Sequence, residues 1–208
     1  MINKIKKIIS IIINLSVFLM VTLSIVYFFT TTETEGLMES TVFKCFKYFT
    51  IDSNVIAGIS CLLLAIFQTI SMIKNEYKIP RIFYLFKYIS TTAVFVTFMT
   101  CVLLLGPTMG YIFIFKGVNF ILHLASPLLC VFGLMFLEKE YSFTKKDNFL
   151  GLLPTLIYSC FYISFVLFLK IWKDFYGFTF GGKYFLIPLD FIVMYGLSYS
   201  ISLILNKI

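Results

Sequence analysis

The side chains best able to do chemistry in this sequence are polar groups set inside apolar chain. The stretch FKYFTIDSN brings Thr50, Asp52, Ser53 and Asn54 side by side just where a long apolar run begins. NFILHLASP carries Asn119 and His123, the only histidine of the chain, and Asp190 stands in a third apolar run. A neutral imidazole beside a hydroxyl acts as a general base and turns Ser or Thr into a nucleophile. A carboxylate on the far ring nitrogen fixes the tautomer and stabilises the imidazolium. In that scheme Thr50 is the nucleophile, His123 the base, and either Asp190 or Asp52 the orienting carboxylate. Asn54 or Asn119 would donate to the developing oxyanion. Thr50 and Asn54, like Asn119 and His123, are four residues apart and share a helix face.

Simpler roles compete with this one. A lone intramembrane His often serves as a helix–helix hydrogen-bond donor. Thr50 and Asp52 also suit a helix N-cap, with the carboxylate at the positive end of the dipole. Capping accounts for Thr50 or Asp52 but not for His123 and Asp190, and ionisable residues within spans mark a pathway or a site by default.

The elements that must position these groups are membrane helices. The chain is 60% hydrophobic and only 13% charged, about half the charged share of a soluble domain, which is roughly 25%. Its mean hydropathy is +0.98. Six runs fit spans at about 8–29, 52–73, 83–105, 117–137, 149–170 and 184–205, each able to cross a hydrocarbon core of roughly 30 Å. The expected fold is an all-α polytopic bundle forming one domain over 1–208. The first run is too long for a signal-peptide core and lacks a small-residue cleavage site, so it is read as a retained span.

Lys and Arg near the span ends set the orientation. With the N-terminus inside, Lys4, Lys6, Lys7, Lys74, Lys78, Arg81, Lys87, Lys139, Lys145, Lys146 and Lys207 fall on the inner side. Only Lys44, Lys47, Lys116, Lys170, Lys173 and Lys183 fall outside. Both termini are therefore expected in the cytoplasm. Thr50 to Asn54 then form the outer end of the second span, while His123 and Asp190 lie roughly 9 Å below the outer ends of the fourth and sixth. Three segments deliver polar groups to one depth, and a shared polar cavity is the simplest account. Pro127 and Pro188 lie nearby, where kinks open space between helices.

Several classes fall away. The net charge of +7 is spread in short lysine clusters between spans rather than along a basic stripe, which argues against nucleic acid. Cys45, Cys61, Cys101, Cys130 and Cys160 stand singly, and imply neither a disulfide framework nor a metal site. They read as small buried hydrophobes. No metal or organic cofactor is implied. Aromatic clusters such as DFYGF at 174–178 read as an interfacial belt.

At FKYFTIDSN and NFILHLASP the sequence resembles the androgen-induced protein family, which includes the androgen-dependent regulator of tissue factor pathway inhibitor. Phe46 to Asp52 is similar to that family's K-F/Y-hydrophobic-T-hydrophobic-D signature. Ser53 and Asn54 complete the Y-F-T-x-x-S-N form of related bacterial proteins. The second stretch resembles the family's histidine-containing segment before a proline, although the interval from His123 to Pro127 is one residue shorter than in animal members. Characterised members are multipass threonine hydrolases of fatty acid esters of hydroxy fatty acids. The resemblance implies Thr50 as nucleophile and His123 as a required residue. It does not reach Asp190.

The expectation is a hydrolase embedded in a bacterial plasma membrane, acting on a lipid or fatty-acyl ester that enters from the outer leaflet. Two other classes stand beside it. One is a small proton- or cation-coupled transporter using Asp52, His123 and Asp190. The other is a non-catalytic membrane partner protein.

Overall fold

A computed structural model of the chain describes residues 2–31, 42–74, 77–179 and 181–207. Six of its helices are long and apolar enough to cross a membrane: α1 Lys4–Thr30, α2 Phe49–Ile73, α3 Arg81–Met109, α4 Val118–Leu137, α5 Lys145–Phe168 and α6 Tyr184–Lys207. No strand occurs among the described residues. The chain is an all-helical multipass membrane bundle, as its apolar runs predict. The segment between the first two expected spans, TTETEGLMES at 31–40, lies almost wholly outside the described residues.

Helix ends follow local chemistry. α5 begins earlier than its apolar run because Thr144 and Asp147 form a reciprocal capping box. Asp147 also pairs with Arg81 at the start of α3 at 2.5 Å. α3 starts immediately after Pro80, whose fixed φ and missing N–H suit a helix entrance rather than its interior.

α3 is the central helix. Half of its apolar window is buried, against 28% for each of α1, α5 and α6. Small polar side chains knit it to its neighbours. Ser90 meets Ser60 of α2 at 2.6 Å, and the Tyr88 hydroxyl donates to Asn148 of α5 while meeting Ser202 of α6. Such contacts matter in lipid, where apolar surface gains little by leaving one hydrocarbon environment for another. Leu19, Leu23, Ile59, Ile157 and Ile192 instead remain exposed on the outside of the bundle, where acyl chains would meet them.

Two helices widen just ahead of prolines. A proline offers no N–H to the carbonyl four residues back, and its ring crowds that carbonyl. α4 accommodates Pro127 with a π-turn over Ile121–Ala125, in which the Ser126 N–H bonds to the Ile121 carbonyl. α3 does the same over Cys101–Leu105 ahead of Pro107.

Lys87 departs from the sequence expectation. It was expected among the inner interfacial charges, but α3 starts at Arg81, which carries Lys87 nearly two turns into the helix. There it is fully buried.

Candidate active site

Thr50 is the second residue of α2. The residue before the helix is Tyr48, extended and without a side-chain capping bond, so neither Thr50 nor Asp52 caps it. The Thr50 hydroxyl lies 3.3 Å from His123 Nε2. Both residues are buried, at 8% and 5% exposure. The two side chains singled out by depth and residue type are therefore in hydrogen-bond range.

The other face of the imidazole settles the direction of that bond. His123 Nδ1 is 3.0 Å from the carbonyl oxygen of Ile114. A carbonyl can only accept, so in the neutral ring Nδ1 carries the hydrogen and Nε2 presents its lone pair. The Thr50 hydroxyl is then the donor. Ile114 comes from a short helix, Tyr111–Ile114, between α3 and α4. The chain turns back into α4 at Gly117, whose φ of +57° favours glycine. His123 itself sits in the π-turn of α4.

The carboxylates do not fill the orienting role expected of them. Asp52 lies about 200° around the helix from Thr50 and lines an apolar groove with Phe46, Phe49, Val55, Phe86 and Tyr158. Asp190 is half-exposed in the second turn of α6. The group on His123 Nδ1 is a backbone carbonyl. Asp52 faces the opposite side of α2 from the Thr50–His123 pair.

Asn54 also differs from expectation. Its Nδ2 donates to the Thr50 carbonyl at 2.7 Å and to the Leu122 carbonyl at 3.0 Å. Both amide hydrogens are committed, so Asn54 has none for an oxyanion. It instead ties the first turn of α2 to the residue preceding His123. Ser53 extends the brace, meeting Thr97 of α3 at 3.0 Å. Asn119 is buried, lines the same pocket as Thr50 and His123, and has an Oδ1 without a partner.

Thr50 stands where two cavities meet. One is lined by Tyr48, Asn119, His123, Phe175 and Tyr176. The other is mainly apolar and runs between α2, α3, α5 and α6 past Thr97, Leu104, Tyr158, Phe191 and Met194. Tyr176 and Leu105 line both.

The roof of the site is the segment between α5 and α6, which the sequence presents as an aromatic belt. Tyr176 accepts the Phe49 N–H through its hydroxyl at 3.1 Å, and Tyr158 donates to the Lys47 carbonyl at 2.6 Å. Asp174 knots the segment, accepting from Tyr162, from the N–H groups of Phe178 and Thr179, and from the Thr179 hydroxyl. Burial alone would raise the Asp174 carboxyl. The Thr179 and Tyr162 hydroxyls and the two backbone donors outweigh it and hold the group below the usual carboxylate range. Burial pushes the Tyr176 hydroxyl up, keeping it protonated. Residue-type reasoning missed this roof because belt and lid aromatics have the same composition.

No protein-family model, curated protein or solved structure matches the chain.

Proposed function

We propose that the protein is a membrane-embedded hydrolase of a lipid or fatty-acyl ester, with Thr50 as nucleophile and His123 as general base. The observation that carries this reading is the hydrogen-bonded series from Thr50 Oγ1 to His123 Nε2, and from Nδ1 to the Ile114 carbonyl. Thr50 Oγ1 bonds to the acyl carbon while Nε2 takes its proton. Asn119 faces the same pocket and supplies a donor for the oxyanion, supported by the N-terminal dipole of α2. The intermediate collapses, and the leaving alkoxide departs with the proton from Nε2. Water, deprotonated by the same nitrogen, then cleaves the Thr50 ester and releases the carboxylic acid.

The apolar cavity receives the acyl chain and the cavity beside His123 the alcohol portion. The sequence likeness to the androgen-induced family supports the same two residues. In this reading both termini are cytoplasmic and the Thr50 end faces the outer leaflet, in a bacterial plasma membrane.

The test is labelling with a fluorophosphonate probe in membranes holding wild type, Thr50→Ala or His123→Ala. Wild type should label, and each variant should lose about a hundredfold or more in rate. Equal labelling of Thr50→Ala and wild type removes Thr50 as the nucleophile.

A further inference from the structure

A second buried polar centre lies further along the bundle from Thr50, where α1, α2, α3 and α4 converge. Lys87 Nζ donates to Asn14 Oδ1 at 2.9 Å and lies 2.7 Å from Cys61 Sγ. Cys130 Sγ stands 3.9 Å from Cys61 Sγ. Glu138 accepts from Asn14 at 2.7 Å and from Ser10 at 2.8 Å, and its second carboxylate oxygen has no partner. Lys87, Cys61, Cys130 and Asn14 have no exposed surface.

A buried ammonium needs an opposite charge and good acceptors, or it costs several kcal/mol. Asn14 and, through it, Glu138 supply these. The thiol contributes little to that purpose, because sulfur is a weak acceptor. Yet the lysine nitrogen approaches sulfur as closely as it approaches the Asn14 oxygen, although sulfur is the larger atom. One oxygen atom placed between Nζ and Sγ would span this gap with neither side chain moving. A disulfide to Cys130 requires more, since its sulfurs must close from 3.9 Å to about 2.05 Å.

We propose that Lys87 and Cys61 form a redox modification site, an Nζ–O–Sγ crosslink between α3 and α2 made by dioxygen. The lysine reacts as its neutral amine, one proton having left the ammonium for bulk water. The thiol S–H and one amine N–H bond then break, and an S–O and an N–O bond form around one oxygen atom of dioxygen. The second oxygen atom leaves as water with those two hydrogens. Dioxygen is reduced by four electrons, two drawn from sulfur and two from nitrogen. Being small and apolar, it dissolves in hydrocarbon and reaches a site closed to soluble disulfide oxidants.

The inference is independent of the Thr50 chemistry. Full-length protein purified anaerobically with reductant is exposed to air-saturated detergent buffer and followed by intact mass and peptide mapping. The expected result is a gain of one oxygen less two hydrogens, mapped to Lys87 and Cys61 and reversed by dithiothreitol. Cys61→Ser and Lys87→Arg should abolish the gain, and Cys130→Ser should retain it, each variant checked for folding by thermal unfolding. An unchanged mass in air, persistence of the gain in Cys61→Ser, or loss of two hydrogens mapped to Cys61 and Cys130 would overturn the proposal.

Discussion

Asn54→Ala separates a brace from a catalytic donor. The substitution removes the Nδ2 bonds to the Thr50 and Leu122 carbonyls. A side-chain hydrogen bond contributes about 1 kcal/mol in folded proteins, and interhelical bonds in membranes average about 0.6 kcal/mol. Loss of the two together should cost about 1–2 kcal/mol. For a chain of this size that is a fall of roughly 2–8 °C in melting temperature. The same change frees the turn bearing His123, and a misplacement of about 1 Å at a reacting pair costs up to about a hundredfold in rate. Thermal unfolding in detergent and probe labelling should therefore fall together. If Asn54→Ala melts like wild type, the brace is not holding α2 to α4 and the argument fails. A normal melt with slow labelling would return Asn54 to the oxyanion role that its committed hydrogens argue against.

The complementary variant is Asn119→Ala. It should slow labelling by about a hundredfold or more through loss of the oxyanion donor and leave the melting temperature within about 1 °C of wild type, since its Oδ1 has no partner to lose; a large drop in melting temperature would make it structural instead. Asp174 predicts an acid limit for the roof. Its folded-state pKa is depressed, so its contribution is fully present above the ordinary carboxylate range and is lost as pH falls through the folded value. Trp172, the only tryptophan, packs on Phe165 and Tyr162 and reports the segment by fluorescence. Wild type should show a transition only below the usual carboxylate range, and Asp174→Asn should lack it; an identical transition in the variant refutes the assignment.

The helices and the Thr50–His123 pair were legible in sequence for one reason. Apolar runs long enough to span leave few places for ionisable or hydroxyl groups, so depth along each run is nearly the whole answer. Rotation about each helix axis is not written in such runs. Asp52 shares a depth with Thr50 yet faces the opposite side, and the ring nitrogens of His123 are taken by Thr50 and Ile114 rather than by Asp190. The partner that orients His123 is a main-chain carbonyl, which every residue possesses, so no residue type announces Ile114. Lys87 was hidden differently. A lysine near the end of an apolar run looks like an interfacial anchor, and only the true start of α3 shows it to be interior. Cys61 and Cys130, apolar-looking in their own helices, acquire a polar neighbour only when α2, α3 and α4 are packed together.

The π-turn at Ile121–Ala125 is equivalent to a single inserted residue held inside a helix. An indel here has an outcome that can be foreseen. Deleting one residue between Phe120 and Pro127 lets α4 close to ordinary pitch with both flanks in register, and only the side chains inside the window, His123 among them, turn to new directions. The distal half of α4, from Pro127 onward, keeps its seat against α1 and α3. His123 would leave Thr50 while the bundle itself survived. A length change confined to this short window therefore switches the pairing off without unfolding the protein.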